Sequence, residues 1–298
     1  MIAAPSLRMK LSHNRAILLM VAVALLWSTA GVVTRHLEFA RSFEVTFWRS
    51  LFALLTLAVL LPLVKGKQVF SRLRYAKIPL WFSGVCWSFM FTAYMLALTM
   101  TSVGNVLVML AIGPLLTALV AHLFIGYRVP GRTWIAIVVA GIGIYYMFAS
   151  QIAEGSFAGT LVALCVPVAG AINWTLTQHS HDQGHDVDLV PAVFVGALIS
   201  VLVTLPVAYP LQANVHDIAL LGMLGAFQLA IPCILSVVCA RVLKAPEMSL
   251  LALLEVIFGI LLAWLGANEV PTPAVLIGGA LVVGALVVNE LIAWRQRG

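Results

Sequence analysis

The sequence predicts an all-α integral membrane protein: ten transmembrane helices arranged as two inverted five-helix repeats. Three observations carry that prediction. Of 298 residues, 62% are hydrophobic and 9% charged, and the mean hydropathy is +1.07, which is outside the range of water-soluble chains. The apolar residues fall in ten runs, each close to the roughly 20 residues a helix needs to cross about 30 Å of hydrocarbon. Segments of the two halves correspond, and with five spans per copy the second copy enters the membrane upside down.

The predicted spans are 15–36, 43–63, 77–99, 102–125, 130–150, 156–178, 188–210, 216–240, 245–267 and 271–293. The first follows Arg8, Lys10 and Arg15 as a secretory signal would, but its apolar run continues through Trp27 to Val33 and nine spans follow, so it is retained. The second carries Phe47-Trp48-Arg49-Ser50 near its start, and the third follows the basic stretch Lys65 to Lys77. The fourth leads to Gly126-Tyr127-Arg128-Val129-Pro130, where the fifth begins. The sixth contains Pro167, the eighth contains Pro232, and the ninth leads to Asn268-Glu269-Val270-Pro271-Thr272 before the tenth. Strands are excluded, because a membrane barrel alternates polar and apolar residues in segments of about ten. The division falls at 1–150 and 151–298, with no soluble domain. Cys86, Cys165, Cys233 and Cys239 all lie in spans and read as small apolar packers.

Basic residues set the orientation. With the N-terminus cytoplasmic, 14 of the 17 Lys and Arg residues fall at cytoplasmic ends, Arg35 and Arg41 fall outside, and Arg49 lies in the second span. Both termini are therefore expected in the cytoplasm of a cell whose inner membrane holds the chain. The net charge of +6 is a topology and anionic-lipid signal and calls for no nucleic acid.

The repeat is visible in residues. Gly113-Pro114-Leu115-Leu116 leads to Tyr127 as Glu255-Val256-Ile257 leads to Glu269, with 13 positions from Pro114 to Tyr127 and from Val256 to Glu269. Leu26-Trp27-Ser28-Thr29 of the first span answers Asn173-Trp174-Thr175 of the sixth. With Leu25 to Ser28 and Phe47 to Ser50, these segments resemble the EamA type of the drug/metabolite transporter superfamily. The resemblance spans almost the full length. That family shows Glu-Pro in the ninth helix and Gly-Glu after the fourth; this chain keeps Glu255 but has Val256 for the proline and Tyr127 for the glutamate. The resemblance implies a secondary transporter working by alternating access between its halves, and inverted repeats supply two nearly equivalent packings for that. No phosphate-binding loop is present, which argues against ATP as a bound fuel.

Ionisable groups inside the membrane are the first site candidates. Glu255, in the ninth span, reads either as a coupling or substrate-amine carboxyl or as a buried, hydrogen-bonded acid. Arg49, some six residues inside the second span, reads as a snorkelling or helix-pinning arginine, with carboxylate recognition as the other reading. In the third span Trp87, Phe91, Tyr94 and Leu98 share one face, bordered by Ser88, Thr92 and Met95; such a face suits an amphipathic solute or plain packing. The eighth span has Gln228, Pro232, Ser236 and Cys239 along one stripe, with Pro232 expected to kink it and free a carbonyl. In the sixth, Gly170, Asn173 and Thr177 lie beside Trp174 after an expected kink at Pro167. Trp27, Trp87, Tyr94, Asn173, Trp174, Gln228, Ser236 and Glu255 are thus the expected substrate-binding residues, and Arg49, Pro114, Pro167 and Pro232 the gating or structural ones. The small-residue stripes Gly259 with Ala263, and Gly278, Gly279 and Gly284, read as close helix packing.

No cofactor or metal is expected. The stretch His179 to Asp188 holds imidazoles and carboxylates, but reads as a hydrated cytoplasmic loop. No His-Glu-x-x-His or Gly-x-Ser-x-Gly motif is present, so enzyme function is not expected. The absence of lysine deep in any span disfavours a highly anionic substrate. The Leu-Trp-Ser-Thr run also resembles the aromatic-amino-acid exporters of the same family, which implies export of aromatic or apolar amino acids. Other amphipathic metabolites or drugs, or a passive pore, are the alternatives. The expected partners are a small-molecule substrate, the lipid bilayer and protons as a candidate coupling ion.

Overall fold

A computed structural model describes residues 12–66, 68–73, 78–126, 128–154, 157–182, 189–239, 242–243, 248 and 251–295. Its elements are α1 (His13–Thr34), α2 (Phe43–Lys65), a short α3 (Val69–Leu73), α4 (Ile78–Met100), α5 (Val103–Ala111), α6 (Gly113–Ile125), α7 (Gly131–Glu154), α8 (Phe157–Asp182), α9 (Leu189–Ala208), α10 (Val215–Met223), a π-helical segment (Leu224–Ala230), α11 (Ile231–Cys239), α12 (Leu254–Ala267) and α13 (Pro273–Arg295). Among the described residues nine helical spans are long and apolar enough to cross a membrane, α5 with α6 and α10 through α11 each forming one, and α12 is a tenth, shorter apolar helix. Continuous apolarity makes these segments helical because a helix satisfies every backbone polar group internally, as hydrocarbon demands.

The packing partners repeat when the two halves are exchanged. The third span, α4, packs on α8 and α9, the sixth and seventh; the eighth, α10 through α11, packs on α1 and α2, the first and second. The first span contacts the ninth, α12, as the sixth contacts the fourth, and the pairs α2 with α9, α7 with α13, and α5 with α12 map onto themselves. This is the contact pattern of a duplicated five-helix unit.

Glycines set the closest approaches. A Cβ on Gly143 would lie 2.7 Å from the Gly278 carbonyl oxygen, and one on Gly278 would lie 2.7 Å from that of Gly143, so α7 and α13 touch backbone to backbone. Gly279 and Gly259 instead receive side chains, those of Val108 and Leu107, and Gly284 has nothing within 4 Å of its Cβ position. That member of the expected stripe packs on nothing among the described residues.

The fourth and ninth spans are interrupted alike. Helix stops at Ile112 (φ −73°, ψ −7°) and at Leu253 (φ −63°, ψ −19°). The following segments end on left-handed caps, Gly126 (φ 70°) and Asn268 (φ 55°). Pro114, which lacks an N–H, accounts for the first break; the second occurs with Val256 in the proline's place. Glu255 therefore sits in the first turn of α12 rather than midway along an unbroken helix, as span length had placed it. Pro167, expected to kink the sixth span, is buried in a helix that runs on to Asp182; its Cβ lies 3.9 Å from the position a Cβ would take on Gly113, beside the break in the fourth span.

Candidate functional site

The polar centre is built on Arg49. A Cβ on Gly225 would lie 2.5 Å from the Arg49 carbonyl oxygen and 2.7 Å from the Ala53 nitrogen, so α2 and the π segment approach at backbone distance. One turn on, the Arg49 side chain, 2% exposed, donates from Nε (3.1 Å) and Nη2 (2.7 Å) to the Gln228 amide oxygen. Gln228 in turn donates from Nε2 to the Trp27 carbonyl oxygen at 3.2 Å. The guanidinium carbon stands 5.7 Å from the Tyr94 ring centroid and 5.8 Å from that of Phe91, within cation–π range. Arg49 Nη1 is buried and has no hydrogen-bond partner among the described residues.

Pro232 explains how Gln228 reaches this position. Proline cannot donate to the carbonyl four residues back, and the chain accommodates this by seven residues of π-helix, Leu224–Ala230, immediately before α11. The expected kink takes this form. A π segment shifts the register of side chains along a span and is frequent at functional positions.

Glu255 completes the centre. Its carboxyl interacts electrostatically with Arg49, with the Tyr94 hydroxyl and with the Cys233 thiol. It is half-buried and forms no hydrogen bond or ion pair among the described residues. Arg49 does not snorkel: it is among the largest fully buried side chains. Held by a neutral amide rather than a carboxylate inside a membrane span, it is costly, on the order of 3 kcal/mol or more by insertion scales.

The other expected residues are placed less centrally. Trp87 stacks tilted on Phe91 (5.5 Å) and edge-on to Trp174 (6.1 Å, 84°), which extends the aromatic row from Arg49 toward α8; Trp174 is 43% exposed. Trp27 packs against the buried cluster that holds Met20, Val23 and Cys239. Asn173 is buried on α8. The Ser236 hydroxyl bonds its own helix, donating to the Cys233 carbonyl at 3.0 Å. Pro114 is exposed and lines a cavity of about 130 Å³ with Arg132, Thr133 and Asn289, away from the centre. The stretch His179 to Asp188 lies largely outside the described residues.

A second feature, unforeseen from sequence, joins the halves at one end of the bundle. Three carboxylates each clasp backbone N–H groups of the other half. Asp217, fully buried, accepts from Glu38 (2.9 Å), Phe39 (2.8 Å) and Ala40 (2.7 Å). Glu44 accepts from Gln212 (3.0 Å) and Ala213 (2.9 Å). Glu269 accepts from Val103 N–H at 2.6 Å and pairs with Arg35 at 2.5 Å, while Arg35 also donates to the Leu98 and Thr101 carbonyls.

A family model described as "EamA-like transporter family" matches residues 14–149 and again residues 157–290. The chain belongs to the EamA-like transporter family. Among solved structures sixteen chains match. One, a crystal structure described only as that of a protein, is 21% identical, covers 95% of this chain and 99% of that chain, and superposes with a TM-score of 0.64; at that identity the likeness shows the fold alone. No curated protein matches. As an EamA-like transporter the chain is a multi-pass membrane protein of a family whose members carry small molecules, and its two matched stretches fall one in each half.

Proposed function

We propose that this EamA-like transporter is a secondary carrier for small zwitterionic metabolites, foremost amino acids with aromatic or apolar side chains. It works by alternating access in the inner membrane, with both termini cytoplasmic and export as the working direction. The observation that carries this reading is the centre itself: a buried guanidinium and a half-buried carboxyl with no ion pair between them, bordered by Tyr94, Phe91 and Trp87. A zwitterion brings one charge of each sign, so both groups gain a partner without net charge entering the bilayer. The broken fourth and ninth helices fit the same reading, because interrupted helices place backbone dipoles at midplane sites.

In this reading the three-carboxylate end is the closed gate and faces outward. Glu255 is the candidate to accept the substrate ammonium or a coupling proton.

The test is uptake of a radiolabelled amino-acid panel into proteoliposomes with and without a proton gradient. Tryptophan or phenylalanine should be transported and should compete with each other; no transport and no competition sinks the amino-acid reading. Replacing Glu255 by Gln should abolish or flatten the pH dependence, and unchanged transport with an unchanged pH profile removes Glu255 from the mechanism.

A further inference from the structure

We infer that Arg49 is the carboxylate anchor of the transported molecule and that Gln228 is its positioning residue. The inference rests on the carrier reading above and assigns the charge recognition within it.

Of the three guanidinium nitrogens, Nε and Nη2 both donate to one oxygen of Gln228, while Nη1 is buried with no partner among the described residues. Gln228 is fixed from its other end by the Trp27 carbonyl, so the amide oxygen stays turned toward Arg49. This chain of bonds aims the guanidinium while leaving its charge uncompensated. A structural arginine in a span would be expected to face a carboxylate at bonding distance. Here the nearest interacting carboxyl, Glu255, lies beyond ion-pair distance, and the rings of Phe91 and Tyr94 flank the cation. A preorganised guanidinium that lacks a carboxylate partner and keeps N–H groups on Nη1 and Nη2 uncommitted fits a planar carboxylate, which accepts two parallel N–H bonds. Glu255 interacts electrostatically with Arg49 but forms no ion pair with it among the described residues, which points the ligand class to an α-amino acid or similar zwitterion, bound carboxylate toward α2 and ammonium toward α12.

The experiment uses the full-length protein in detergent, with displacement of radiolabelled L-tryptophan by unlabelled tryptophan, tryptophanamide and tryptamine. For the parent protein the amide and the amine, which lack the carboxylate, should displace at least tenfold more weakly than tryptophan, the loss expected when a charged hydrogen bond has no acceptor. Arg49→Gln should weaken tryptophan at least tenfold and leave tryptamine within threefold, so the discrimination disappears. Gln228→Glu, nearly isosteric, supplies an internal carboxylate to Arg49. It should show the same loss of discrimination with an unchanged or raised melting temperature, which keeps the test decisive even if Arg49→Gln does not fold. Equal displacement by all three compounds in the parent overturns the anchor while leaving the carrier reading intact. Absence of tryptophan binding overturns the amino-acid reading, and the anchor falls with it. Discrimination that survives in both variants overturns the anchor alone.

Discussion

Replacing Asp217 by Asn should open the clasped end of the bundle. The fully buried carboxylate accepts one N–H on Oδ1, from Glu38, and two on Oδ2, from Phe39 and Ala40, all at 2.7–2.9 Å. An amide can keep its oxygen on one side only. In the better orientation the oxygen retains Phe39 and Ala40 and the NH₂ faces the Glu38 N–H, donor against donor. Bonds to a charged acceptor are worth about 1.5–3 kcal/mol and neutral ones about 0.5–1.5. Two bonds weakened by about 1 kcal/mol each and one lost at about 2 give roughly 4 kcal/mol against the clasped state. That is close to a thousandfold in a two-state equilibrium. The assay is labelling by a membrane-impermeant maleimide at Ala40→Cys, a position 6% exposed in the clasp, in a background without the four native cysteines. The Asp217→Asn protein should label at least tenfold faster and melt several degrees lower. Equal labelling rates and melting temperatures in the two proteins would refute the argument that this carboxylate holds the halves together.

Gly225→Ala should destabilise by about 1–3 kcal/mol, read as a lower melting temperature, because its Cβ would lie 2.5 Å from the Arg49 carbonyl oxygen and neither backbone can yield cheaply. Gly278→Ala should be costly for the same reason, its Cβ 2.4 Å from Met147 Cγ and 2.7 Å from the Gly143 carbonyl oxygen; Gly284→Ala, with open space around it, should be neutral or stabilising by up to about 1 kcal/mol. A reversed order in a thermal-shift series contradicts the α7–α13 packing. Pro232→Ala restores the missing N–H and should return the span to α-helix, rotating Gln228 off Arg49; tryptophan affinity should fall at least tenfold without loss of folded protein, and unchanged affinity separates the π segment from the site.

The helices were legible because hydrocarbon leaves a chain so few options. Ten apolar runs predict ten helices, and most of the observed boundaries lie within two residues of those read from the runs, as in α2, α4 and α9. The doubling was legible in the matched spacing around Tyr127 and Glu269, and its structural counterpart is the shared break and left-handed cap of the fourth and ninth spans. What the sequence hid was depth. Arg49 lies six residues inside α2, close enough to an end by counting to snorkel, yet α4 and the π segment cover it. Only tertiary packing decides that. Gln228 drew notice for its stripe with Pro232, but its bond to Arg49 depends on a π register that composition does not encode. Asp217, Glu44 and Glu269 stand at or beside span ends, and no motif marks them for this role. Their signal was their position beside short loops, where a buried carboxylate can collect backbone N–H groups that helix ends leave unpaired. The Ser236 hydroxyl bonds its own preceding turn, as a hydroxyl in a helix readily does, a contact that the stripe in the sequence does not announce.

The central claim is that this chain carries zwitterions through a site that alternates between the two faces of the membrane. Counterflow in proteoliposomes tests it most directly. Vesicles preloaded with unlabelled phenylalanine should take up external labelled phenylalanine faster and to a transient excess over unloaded vesicles, because a carrier returns occupied. Equal uptake into loaded and unloaded vesicles, as through an open pore, would contradict the account.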